Sequence, residues 1–184
     1  MLRAVVSCGL VFAVFAGGGC KHEIKWEDQK ITTFEVGPFT APIPAGWRDI
    51  HELVDKSKVP QLQVTMLMAE VAETDLGFQT NIIGMWGTPV EILGADATTC
   101  DAVAANVMKQ QKATSAGPTV ESIVDGDRLC TFSSRLDDAT GTYRARFHGD
   151  KILCLQCLRA ATGDPIGDAG CAAVWGALKP KGSS

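Results

Sequence analysis

The sequence predicts an α+β fold, a mainly antiparallel β-sheet with two packed helices. Three observations carry this. Short runs with strand-like alternation, separated by Gly, Pro and Asp punctuation, fill most of residues 31–160. Two stretches, Thr98–Lys112 and Asp168–Lys179, instead place apolar residues at helical spacing. The order is strands, helix, strand meander, helix, and this segregation points away from the regular βαβ alternation of a parallel sheet. The chain has 184 residues, enough for one domain with a core, and its 46% apolar and 21% charged residues place it among globular chains.

The first nineteen residues differ in kind. Met1-Leu2-Arg3 is a minimal positive start, Ala4–Ala16 is almost purely apolar, and Gly17-Gly18-Gly19-Cys20 follows. The apolar run is shorter than the ~20 residues a spanning helix needs, and fits the h-region of an export signal. Three small residues before a cysteine, directly after an h-region, resemble the lipobox of bacterial lipoproteins. That resemblance implies a diacylglyceryl group on Cys20, cleavage before it by signal peptidase II and acylation of the new amine. Gly17 departs from the pattern, which favours Leu there. Val14-Phe15-Ala16 also suits ordinary signal peptidase I, which would release a soluble secreted protein starting at Gly17. Lys21 stands where an Asp retains enteric lipoproteins at the inner membrane, so the resemblance implies a lipid-anchored envelope protein at the outer membrane, facing the periplasm. Residues 20–30 then read as the lipidated cysteine and a charged tether, in which His22 is solvated and Trp26 is placed to meet headgroups.

The domain is expected over 31–180, with 181–184 as a tail. Thr32–Val36 and Phe39–Ile43 are β-type runs broken by Gly37-Pro38, and Pro42–Trp47 (PIPAGW) is a rigid turn. Asp49–Asp55 reads as a helical turn. Leu62, Val64, Met66 and Met68 alternate with polar residues, the pattern of a half-buried strand, and Phe78–Trp86 is another strand. In the helix Thr98–Lys112, Cys100, Val103, Ala104, Val107 and Gln111 share a face, with Thr98 and Asp101 as a capping pair. Four strands follow: Thr119–Val124, a type I′ turn at Asp125-Gly126, Asp127–Leu136, a polar loop 137–141, Thr142–His148, a turn at Gly149-Asp150, and Lys151–Ala160. The last helix, Asp168–Lys179, has Asp168 as N-cap and a stripe of Cys171, Val174, Trp175 and Leu178. The strand into Pro44-Ala45-Gly46-Trp47, the Asn81-bearing strand, the helix, the meander and the final helix together resemble the PsbP-like fold, a group that includes DcrB-like and LpqN-like lipoproteins. The resemblance covers about residues 31–180. It implies no shared active site, and the mature-domain cysteines are not part of it.

Of seven cysteines, Cys8 leaves with the signal and Cys20 takes lipid. Five remain in an oxidising compartment, where disulfides are the default and an odd count leaves one thiol over. If Cys20 kept its thiol the count would be even, which favours the secreted alternative. Cys154 and Cys157 invite a redox or zinc reading, but they lie inside a strand. There they face opposite sides and stand roughly 10 Å apart, beyond the ~7 Å that a disulfide tolerates. The apolar set Leu153, Leu155 and Cys157 belongs under the last helix, whose first turn carries Cys171. This predicts Cys157–Cys171. Cys100 on the first helix and Cys130, on one strand face with Phe132, form the second expected pair, and Cys154 is left as the free thiol.

No functional motif competes with this structural reading. Gly-x-Ser-x-Gly, His-Glu-x-x-His, P-loop and dinucleotide patterns do not occur. His51 and His148 read as surface residues. Asp125, Asp127, Asp137 and Asp138 read as turn residues without calcium-loop spacing. Met66, Leu67, Met68 and Met85 suit core packing better than a pliable pocket. A net charge of −4 with scattered basic residues argues against nucleic acid as a partner. No catalytic residue, cofactor or metal is expected. A lipid-tethered, non-catalytic protein that binds a protein partner or small apolar ligand is therefore favoured over a thiol-dependent or hydrolytic enzyme. A low-pKa thiol beside a cavity would reverse that order.

Overall fold

The computed structural model describes residues 32–50, 62–69, 80–137, 139–160 and 165–182. Its strands are β1 (Thr33–Val36), β2 (Phe39–Pro42), β3 (Trp47–Asp49), β4 (Gln63–Ala69), β5 (Asn81–Gly87), β6 (Ser115–Ala116), β7 (Val120–Val124), β8 (Asp127–Arg135), β9 (Ala139–His148), β10 (Lys151–Ala160) and β11 (Lys179–Pro180). Its helices are α1 (Pro89–Leu93), α2 (Cys100–Gln111) and α3 (Pro165–Ala177). The large sheet runs β3-β4-β5-β10-β9-β8, with β6 and β7 both paired to the outer side of β8, and every pairing is antiparallel. A small sheet, β1-β2-β11, is also antiparallel. The α+β, mainly antiparallel expectation describes this architecture.

The large sheet is covered on both faces. Val64, Met66, Ile83, Met85, Ile152 and Cys154 pack with α1 and α2. Leu67, Ile82, Leu153, Leu155 and Cys157 pack with the small sheet and with Cys171 and Val174 of α3. The two long helices thus lie on opposite faces. Strand β4 is accordingly buried on both sides, with Leu67 as inaccessible as Met66, not half-buried as its Gln and Thr suggest. Thr65 keeps its hydroxyl satisfied there by donating to the Glu35 carbonyl.

Several boundaries move for identifiable reasons. Asp49 ends a strand instead of opening a helical turn; the rest of 49–55 lies beyond the described residues, apart from Ile50. Thr99, not Thr98, caps α2: it is extended, and the Ala102 amide donates to its hydroxyl at 3.2 Å. Helix α3 begins at Pro165, three positions before the expected Asp168 cap, because proline needs no amide partner in a first turn. Asp168 then sits in that turn and pairs with Arg159 of β10. The polar loop shrinks, since β9 pairs with β10 from Ala139 onward. The helix α1 was not expected, yet Thr88-Pro89-Val90-Glu91 carries a full capping box. Glu91 N–H donates to Thr88 Oγ1 at 3.3 Å and Thr88 N–H donates to Glu91 Oε2 at 2.8 Å. Five residues are too few to show a helical period.

The expected turns form as chemistry dictates. Asp125 and Gly126 have φ of 53° and 82°, the double positive φ of a type I′ hairpin. In the Pro44–Trp47 turn the Trp47 amide donates to the Pro44 carbonyl at 3.1 Å. Trp47 is buried directly beneath Gly170 of α3, where any Cβ would overlap the indole. A glycine inside the helix is thus the condition for its close seat on the N-terminal turn.

Candidate functional site

Strand β9 places Tyr143 and Ala145 on the α2 side and Arg144 and Arg146 on the α3 side. Each arginine is fixed by an aromatic ring. The Arg144 guanidinium lies 4.8 Å from the centre of the Trp175 ring, and that of Arg146 lies 4.9 Å from the Phe39 ring. Their electrostatic circumstances then diverge. Arg146 is buried and paired: its Nε donates to Asp127 Oδ2 at 2.7 Å, and its Nη2 reaches Asp125 and the Val124 carbonyl at 3.4 Å. Asp127 also meets His148 Nδ1 at 2.9 Å, while the His148 ring stands edge-on to Phe39. The Asp residues of the hairpin therefore do more than make a turn, contrary to the sequence reading: they neutralise a buried arginine. His148 is half-exposed and held, not simply solvated.

Burial alone would push the Asp127 carboxyl up, but the hydrogen bonds and charges of Arg146 and His148 outweigh it and hold it below its ordinary 3.8. A carboxyl whose folded value is lowered stabilises the fold above the unfolded value and loses that contribution as pH falls through the folded one. Asp127→Asn should therefore lower the urea midpoint at pH 7, and the deficit should shrink as pH drops below 3.8. A deficit that stays constant into acid would assign the effect to packing instead of charge.

Arg144 has no such neutralisation. Among the described residues no carboxylate meets it, and its Nε is buried without an acceptor. The same holds for Nε1 of Trp175, the residue it stacks on. Both side chains line a recess of about 80 Å³ beneath α3. Its other walls are the carboxylate-paired Arg146 and five apolar residues: Leu153 and Leu155 from β10, Val124 and Leu129 from the β7–β8 hairpin, and Leu178 after α3. The sheet register explains the convergence, because Arg144 pairs with Leu155 and Arg146 with Leu153 across the β9–β10 hairpin.

The cysteines occupy the two cores. Cys157 and Cys171 are bonded with Cα atoms 6.1 Å apart, and Cys100 and Cys130 with Cα atoms 5.3 Å apart. The first bond ties β10 to α3 and the second ties β8 to α2, one on each face of the sheet. Cys154 is free and fully buried on the α2 side. Met66, Leu67 and Met85 are core residues. Cys20, His22, Trp26 and His51 lie outside the described residues, as do residues 51–55, and nothing is described of the Asp138 or Met68 side chains. No group of three metal-ligand side chains occurs among the described residues. No described helix is long and apolar enough to cross a membrane.

No protein-family profile matches the sequence, and no curated protein matches it. The fold has a solved counterpart in the solution structure of cyanobacterial PsbP (CyanoP) from Synechocystis sp. PCC 6803, with a TM-score of 0.56 and 13% identity over 89% of this chain and 98% of that one. This chain has a PsbP-like fold. At such identity the likeness is one of fold alone.

Proposed function

We propose that the protein is a lipid-anchored, non-catalytic envelope lipoprotein whose PsbP-like fold binds a partner group or small ligand in the recess beneath α3. The observation that carries the binding reading is the pair of unsatisfied donors there, Arg144 Nε and Trp175 Nε1, beside apolar walls. Buried donors without acceptors cost about 1–3 kcal/mol each, so a bound group that supplies the acceptor recovers that cost as binding energy. The non-catalytic reading is supported by the state of the thiols. The four bonded cysteines have no thiolate to offer, and Cys154 is sealed in the core with no exposed surface from which to meet a substrate.

The anchor rests on Gly17-Gly18-Gly19-Cys20 after the apolar run. Two or three acyl chains, at about 0.8 kcal/mol per buried CH₂, hold a protein stably where one chain does not. The outer membrane, periplasmic side, is the proposed location, from Lys21. Cys20→Ala should move the protein from the membrane to the soluble fraction or stall its processing. Mass spectrometry of the mature wild type should show Cys20 as the first residue carrying the acyl mass. A mature chain that starts at Gly17 without added mass would replace the anchored form by a secreted one.

A further inference from the structure

We propose that the recess beneath α3 takes one carboxylate next to a short apolar group, with Arg144 as its cation and the Trp175 indole N–H as a second donor. This rests on the binding reading above and names the chemistry of its ligand. Sign comes first. Arg144 and Arg146 stand two residues apart on one strand face, yet Asp127 and Asp125 both serve Arg146. Among the described residues Arg144, at its end of the recess, is left without a carboxylate partner of its own. Geometry comes second. A guanidinium held over an indole ring, as Arg144 is over Trp175, carries its N–H donors in a rigid planar fork, the geometry that meets a planar carboxylate. The buried Trp175 Nε1 can only donate, so both unsatisfied groups ask for an acceptor and none for a donor.

Size narrows the class further. At about 80 Å³ the recess is well below the roughly 300–1,000 Å³ of pockets that swallow a whole small-molecule ligand. It has room for a head group: a short-chain carboxylic acid, or the terminal carboxylate of a peptide with its last side chain. Val124, Leu129, Leu153, Leu155 and Leu178 give the adjoining methylenes a dry wall. A charged group there is desolvated. Burial already pushes the Arg144 guanidinium below its ordinary value, since desolvation disfavours the charged form.

The test is a titration of the full mature protein, ¹⁵N-labelled and followed by NMR at the Trp175 indole and Arg144 Nε resonances. Sodium butyrate should shift both, and butyramide, of the same shape without charge, should need at least tenfold more to do so. Arg144→Gln should weaken butyrate at least tenfold, Arg144→Lys less, and Trp175→Phe several-fold while keeping the ring. A peptide ending in a leucine carboxylate should bind more tightly than butyrate if the natural source is a chain terminus, and its C-terminal amide should lose that gain. Butyrate tighter than the peptide assigns the site to free acids. Equal shifts by butyrate and butyramide would overturn the carboxylate while leaving a binding recess. No shift with any of these probes would overturn the inference. The anchored-lipoprotein reading stands or falls separately, on the fractionation of Cys20→Ala.

Discussion

Reduction of both disulfides should remove about 6–7 kcal/mol of stability, near the whole margin of about 5–15 kcal/mol that a domain commands. The magnitude follows from the loops closed. Cys157–Cys171 spans a sequence separation of 14 and Cys100–Cys130 one of 30. On the chain-entropy account these are worth about 3 and about 4 kcal/mol, through restriction of the unfolded chain. The sum is reasonable because the bonds lie on opposite faces of the sheet and share no neighbour. In urea, Cys171→Ala and Cys130→Ala should each lower the midpoint, and the protein treated with dithiothreitol should unfold at little or no denaturant. Non-reducing peptide mapping checks the premise: a Cys154–Cys171 peptide, or alkylation of Cys157 in the native protein, would mean that the faces of β10 are assigned the wrong way round. A reduced protein with an unchanged midpoint would show the bonds to be idle.

The strand faces were legible because β10 separates its neighbours cleanly. Leu153, Leu155 and Cys157 go to one core and Ile152 and Cys154 to the other, by the strand period alone. The same logic had the site within reach. The turn at Gly149-Asp150 pairs Lys151 with His148, and counting back sets Arg146 against Leu153 and Arg144 against Leu155. Both arginines are thereby placed under the helix that covers those leucines. The alternation of Arg144, Arg146 and His148 with Tyr143, Ala145 and Phe147 does not reveal this, because alternation alone does not say that both faces of the sheet are covered. That fact belongs to the small sheet, where Phe34, Val36 and Phe39 contribute large side chains from a stretch too short to announce a layer. The stacking of Trp175 on Arg144 depends in turn on where α3 lies along the sheet, which Trp47 beneath Gly170 helps to set. Such spacing is a tertiary matter and leaves no periodic trace. The capping box of α1 was the one local signal fully present in the sequence and passed over.

Gln156 should be worth about 2–4 kcal/mol more as an apolar residue. It sits on β10 between Ile83 of β5 and Tyr143 of β9, with no exposed surface, and neither its Nε2 nor its Oε1 has a partner. Each unsatisfied polar group inside a core costs about 1–3 kcal/mol, and here two are carried by one side chain. The neighbouring polar groups are committed elsewhere: Ser134 donates to Tyr143 at 3.0 Å, and Tyr143 donates to Gln111. Gln156→Met keeps the length and most of the volume while discarding both polar atoms, so its urea midpoint should rise with an unchanged slope. Gln156→Glu, by contrast, would bury a carboxylate beside Cys154 and Tyr143 and should lower the midpoint steeply at neutral pH, with partial recovery in acid as the carboxyl takes up a proton. A fall in midpoint for Gln156→Met would mean that the amide is satisfied in solution by a bound water or ligand between β10 and α2. The buried thiol of Cys154, on the same strand face, would then line a polar site and no longer a dry core.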